Sequence, residues 1–235
     1  MLYNYNGENM KVIEYFKKNY KGIILCIASL ICMVFVPMLT AYIFKDYTNS
    51  SMVLTLLGDM VLLAILLIMY FKDITRELKI YLNKFFNSVF GEFKWYFLGV
   101  LLMVIFNLII NSYMGSISDN ETLVRSYIHK EPFISFICVA LIAPFIEEVV
   151  FRKSIMNVCK NKWVGSIICG LLFGLAHVVA YLSNLTNLIY ILPYTSLGFC
   201  FAMMDYESKT IFSSITYHAF HNTFSYVLIM LLGSM

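Results

Sequence analysis

Long apolar runs separated by short polar connections dominate the chain. Seven runs, at 22–44, 51–71, 95–113, 132–151, 164–182, 188–204 and 211–232, come close to the ~20 residues a helix needs to cross the hydrocarbon core. The sixth is the shortest and carries Pro193 and Gly198. The runs are apolar on all sides rather than along one stripe, which suits lipid rather than water. In lipid every backbone amide must be satisfied internally, and helices do so within one segment. The pattern predicts an all-α polytopic membrane bundle of about seven transmembrane helices, packed as one membrane domain over residues 1–235.

Composition agrees. Hydrophobic residues make up 60% of the 235 positions and charged residues 13%, against roughly 25% charged in a soluble domain. Mean hydropathy is +0.78. The region before the first run is polar and basic, and the run itself is longer than the apolar core of a signal peptide, so it is expected to be a retained span.

Charge sets the direction. With the N-terminus in the cytosol, all but Lys45, Arg125 and Lys130 of the 17 lysines and arginines fall on the inner side. That asymmetry follows the positive-inside rule. The net charge of +3 resides in short loops, so the sequence predicts a lipid bilayer as partner and no nucleic acid. Five of the six cysteines lie in apolar runs and Cys159 in a basic loop, which argues against a disulfide framework. Residues 72–94 mix charges with apolar side chains and predict an amphipathic helix on the inner leaflet, with a solvated linker as the alternative. Residues 114–131 predict a polar outer loop.

Some polar residues stand where they are expensive. A charge at mid-bilayer costs about 3 kcal/mol on insertion scales. Asp59, Glu147, Glu148, His177, His218, His221 and Asn222 all fall within runs, with Asn107 and Asn111 as milder cases. Glu148 and Arg152 are four apart and can pair along one helix face. Glu147, about 100° around the helix, is then free to face the bundle interior. His218 and Asn222 are also four apart and share a face, bordered by His221. Singly, each has an ordinary explanation: a glutamate pair at the membrane interface, a packed histidine, a hydrogen-bond patch between helices. Together, a carboxylate, imidazoles and an amide on three spans are the groups that activate a water and stabilise an oxyanion. Metal-assisted attack is the alternative, although no HExxH is present.

Glu147-Glu148-xxx-Arg152, Phe173-xxx-His177 and His218-xxx-Asn222, in that order and on three separate spans, resemble the three motifs of the CPBP family, the type II CAAX prenyl endopeptidases and their bacterial relatives, also called Abi or bacteriocin-processing proteins. The resemblance covers roughly residues 132–225, the expected catalytic core. It implies an intramembrane endopeptidase in which Glu147 and His177 activate water and His218 and Asn222 stabilise the oxyanion. Glu148 stands beside them at the site, with Arg152, Phe173 and His221 in support. The family is also described as metalloproteases. A divalent ion, zinc first, would take Glu147, His177 and His218 as ligands and leave one position for water. The implied substrate is a membrane-associated peptide or protein, reached from a cytosol-facing cavity. The implied location is integral, in the plasma membrane for a bacterial host. The competing functions are a non-catalytic immunity factor or scaffold on the same fold, and a proton-coupled transporter.

One tension follows from these span edges. Glu147 lies about one turn and His218 about two turns from the inner end of their spans, whereas His177 lies nearly four turns in. The three can meet only if a span is longer, tilted or broken.

Overall fold

A computed structural model describes residues 2–3, 9–10 and 12–233. A small antiparallel pair, β1 (Leu2–Tyr3) with β2 (Asn9–Met10), precedes the helices. Then come α1 (Val12–Phe44), α2 (Ser51–Asn83), α3 (Phe85–Phe90), α4 (Phe93–Met114) and α5 (Asp119–Lys130). The fourth apolar run is one rod in five pieces: α6 (Pro132–Ser135), a π-helical stretch Phe136–Ile142, α7 (Ala143–Glu148), a second π stretch Val149–Lys153, and α8 (Ser154–Val158). After it come α9 (Lys162–Val178), 3-10 turns at Val179–Tyr181 and Leu185–Tyr190, α10 (Ile191–Ser208) and α11 (Ile211–Leu232).

Apart from the short β1–β2 pair, the described residues form a multi-pass helical integral membrane bundle. Six helical segments among the described residues are long and apolar enough to cross a membrane. The seventh expected span, α11, has 22 residues and therefore the length. It falls short in apolarity because it carries Ser213, Ser214, His218, His221 and Asn222. The helix richest in candidate chemistry is the one that looks least like a span.

Two expectations for the connections are corrected. Residues 72–94 do not form a separate surface helix. At 33 residues, α2 is about 50 Å long and outruns a hydrocarbon core of about 30 Å. Its last turns take up the first half of that stretch. Residues 114–131, expected as a polar outer loop, are largely helical. Ser118 accepts the N–H of Glu121 (3.1 Å) and starts α5, with Asp119 and Glu121 in its first turn.

The projecting end of α2 has a structural task. Glu77, buried, accepts the salt bridge of Lys153 and, through Oε2, the backbone N–H of Ile211 (3.0 Å). Thr210 donates to the carbonyl of Glu77 (3.2 Å) and accepts the N–H of Phe212. A carboxylate at a helix N-terminus is favourably placed against the helix dipole. These bonds fix where α11 begins, and so which way His218 and Asn222 point.

α10 is the most buried of the six long segments and α1 the least. α1 turns Ile24, Val34, Phe35 and Met38 outward, as a lipid-facing helix should. The main core joins Leu62, Leu66 and Tyr70 of α2 to Ile146, Val149, Val150 and Phe151 of the broken rod, and to Phe173 and Ile211. α9 lies backbone-to-backbone on α10. A Cβ at Gly170 would sit 2.8 Å from the Thr195 carbonyl oxygen and 2.9 Å from the Phe199 nitrogen, and one at Gly174 would sit 2.8 Å from the Ile191 oxygen. Small residues permit this approach in membrane bundles. Gly170→Ala is therefore expected to destabilise the protein by about 1–3 kcal/mol through overpacking. A lowered thermal midpoint in detergent would register it.

The expected mismatch in depth is largely removed by the length of the fourth rod. It runs to Val158, beyond the expected end at 151, which puts Glu147 about three turns from that end rather than one.

Candidate active site

Each motif residue sits on a helix whose packing fixes its direction. Glu147 and Glu148 close α7, just before the second π stretch. The wider π turn changes the rotation between this pair and the residues that follow. Glu148 is fully buried. Its Oε2 pairs with Arg152 Nε (3.1 Å) and its Oε1 accepts from His218 Nδ1 (2.7 Å). Arg152 is equally buried and stacks on Phe173 and Phe201, 4.3 and 5.6 Å from the ring centroids. The ring faces supply favourable electrostatics to a cation that has left water.

The Glu148 bond settles the His218 tautomer. A carboxylate accepts, so Nδ1 carries the proton and Nε2 points the other way. Nε2 faces Glu147 Oε2 at 3.6 Å, and Phe201 stacks on the ring at 5.1 Å. His177 is fixed by similar logic. Its Nδ1 donates to the Phe173 carbonyl (2.9 Å), and its ring stacks on Tyr194 at 4.4 Å. With Nδ1–H donating, the neutral imidazole keeps its lone pair on Nε2.

Asn222 donates one amide hydrogen to the Val139 carbonyl (2.8 Å), inside the first π stretch. Where the helix widens, its ordinary i→i+4 bonding is interrupted, and a side chain from α11 meets a carbonyl there. The second amide hydrogen remains unused by that bond.

Glu147, Phe173, His177, His218, His221 and Asn222 line one cavity of about 580 Å³. Asn107 and Asn111 of α4 line it as well. Glu148 and Arg152 do not; they lie behind the cavity wall and orient His218. Asp59 does not line the cavity either. The three candidate spans therefore do bring their polar residues to one place, with Glu147 partly open to it (17% side-chain exposure).

Residues 129–224 match the Rce1-like family, described as type II CAAX prenyl endopeptidase Rce1-like. Over that segment the chain is similar to the CPBP family, of which the type II CAAX prenyl endopeptidases are part. A relative in Bacillus subtilis (strain 168), "Putative membrane peptidase YdiL", is 25% identical over 143 residues, 60% of this chain and 49% of that protein. An uncharacterized protein of Mycoplasma capricolum subsp. capricolum (strain California kid) is 32% identical over 111 residues, 46% of this chain and 30% of that protein. This chain thus aligns with about half or less of the length of these relatives. No solved structure matches it.

Three further residues belong to the site's surroundings. Tyr194 holds His177 by stacking, and its hydroxyl is bonded to Ser118 (3.1 Å) and Asn120 (3.2 Å). Phe201 covers His218. Asp205 is buried on α10 and accepts from Ser214 Oγ (2.9 Å), on the face of α11 one turn before His218. An expected span end at 204 left Asp205 just outside. An acid directly after an apolar run was the signal available.

The three residues expected as zinc ligands do not form a three-donor set. Glu147 Oε2 and His218 Nε2, 3.6 Å apart, are spaced much as two donors of one ion are, at roughly 3.3 Å for tetrahedral bonds near 2 Å. His177, whose Nδ1–H bond to the Phe173 carbonyl leaves the Nε2 lone pair free, is not grouped closely enough with that pair to complete the set. Among the described residues no three His, Cys, Asp or Glu side chains are grouped to hold a metal ion.

Proposed function

We propose that this CPBP-like protein is an intramembrane endopeptidase that hydrolyses a peptide bond of a membrane-associated polypeptide with water activated by Glu147 and His177. The single observation that carries this reading is the cavity: its polar wall brings the Glu147 carboxylate, three imidazoles and the Asn222 amide together from three helices. Residues so costly in a bilayer persist where they serve a site.

A water between Glu147 and His177 donates one proton to the Glu147 carboxylate, while Nε2 of His177 accepts its other hydrogen as a hydrogen bond. The water oxygen adds to the scissile carbonyl carbon and the carbonyl oxygen takes the negative charge. The free amide hydrogen of Asn222 is the donor available for that oxyanion, and Nε2 of His218 is a second whenever it carries a proton. Collapse of the tetrahedral species breaks the C–N bond, and Glu147 returns its proton to the leaving nitrogen. Preorganised donors in a water-poor site are worth most when charge develops. Glu148 and Arg152 supply the orientation.

Cleavage of a panel of membrane peptides by protein in liposomes tests the reading. His177→Ala is expected to remove activity. Loss with the variant but not with a chelator fits direct water activation, and loss with both assigns the water to a metal. Unchanged cleavage by His177→Ala would overturn the proposal. Asn222→Ala is expected to lower kcat by about 10²–10³, as removal of an oxyanion donor does. The kcat against KM split checks it, since a ground-state contact would move KM instead.

A further inference from the structure

The cavity has one closed end and one open end. Every lining residue lies either at the level of Glu147 and His218 or on the α5 side of it: Asn111 at the end of α4, Ile117 and Arg125 around α5, Tyr190 at the start of α10, Ile229 near the end of α11. On the opposite side the bundle is solid. Arg152, Phe201, Met204, Ser213 and Ser214 have no exposed surface, and Asp205 and Ile211 have 1%. Beyond this floor lies the end of the molecule that carries Lys153, Lys160, Lys162 and Lys209. The α5 end holds Arg125 and Lys130 beside Asp119, Glu121 and Glu131. The positive-inside rule places the lysine-rich, closed end in the cytosol.

A second cavity of about 530 Å³, at the α5 end, shares Asn111, Ser116, Ile117 and Tyr190 with the first and continues it outward. Between α4 and α11 the wall mixes apolar residues with Asn107, Ser225 and Tyr226. An extended peptide inside a bilayer must find partners for its backbone amides. This lining offers them along a route from the α5 end to Glu147.

We infer that the site is served from the non-cytosolic side, and that its substrates are membrane-anchored polypeptides whose scissile bond lies in the outer half of the bilayer. This rests on the endopeptidase reading for the reaction but not for the side of entry. It departs from the cytosol-facing cavity expected from sequence. A peptide tail confined to the cytosolic face would meet the closed floor.

The experiment keeps the two apart. Ile117→Cys, at the cavity mouth and 46% exposed, and Lys160→Cys, at the closed end, are each labelled in intact cells with a membrane-impermeant maleimide. Labelling is measured over the wild-type background from the six native cysteines. The expected result is at least tenfold stronger labelling of Ile117→Cys, reversed or equalised only after permeabilisation. Labelling of Lys160→Cys alone in intact cells would overturn the inference, whatever the enzyme activity. In the same cells, two single-span reporters carry one cleavable segment at the outer or the inner membrane boundary. Cutting of the outer one is expected, and selective cutting of the inner one would also overturn the inference. If neither is cut while labelling is as expected, the endopeptidase reading fails and the side of entry stands.

Discussion

Glu147→Gln is expected to reduce cleavage by about 10²–10⁴, the range contributed by a positioned general base, with expression and thermal stability close to wild type. The amide keeps the size of the acid and the hydrogen bonds of a polar wall. It cannot accept the proton of water. Glu147 is partly open to the cavity and lies 3.6 Å from His218 Nε2, and the change leaves the fully buried Glu148–Arg152 pair intact. Initial rates in liposomes, with a thermal melt of the same preparation, provide the check. A variant that retains wild-type cleavage would remove Glu147 from the mechanism. If cells carrying it keep a phenotype that deletion abolishes, a scaffold role is supported instead.

Glu148→Ala is expected to fail differently, by losing about 3–5 kcal/mol of stability. Arg152 is wholly buried and Glu148 is its carboxylate partner at 3.1 Å. Removing the acid leaves a guanidinium in a dry interior without its carboxylate partner at 3.1 Å, against the faces of Phe173 and Phe201, and also releases His218 Nδ1. Replacing both partners, Glu148→Gln with Arg152→Met, removes the charge together with its partner and should recover much of the loss. Denaturation in a mild detergent measures both. Equal stability of Glu148→Ala and wild type would contradict the burial on which the argument stands. The contrast between adjacent glutamates, one costing rate and the other stability, is a direct test of the geometry.

The candidate site was legible in the sequence as a set of polar residues in apolar runs, because lipid penalises polar groups. In a chain so apolar, an isolated Glu147, His177, His218 or Asn222 stands out, and fourfold spacing on a helix orders the pairs. The division of labour between Glu147 and Glu148 was only half legible. Spacing predicted the Glu148–Arg152 pair, but not that Glu148 also grips His218. Asp205 was missed because a span was drawn to end one residue too early, and Tyr194 and Phe201 because aromatics on an apolar helix carry no mark of a site. The start of α5 was in fact written in the chain: Ser118-Asp-Asn-Glu121 has the spacing of a helix-capping box. What the linear pattern does not contain is which end of the bundle is sealed, since that depends on side chains from α10, α11 and the broken rod closing over one another.

The grip of Glu77 on Lys153 and on the first amide of α11 reaches across the chain. The segment shared with the Rce1-like family begins at residue 129, yet the acid that seats its last helix comes from α2, and one wall of its cavity comes from α4. A fragment trimmed to the recognisable motifs would leave Lys153 without its counter-ion and the first amide of α11 without its acceptor. The early helices therefore act as the foundation on which the catalytic half stands, and a transplant of the motifs into another membrane protein would have to bring that foundation along.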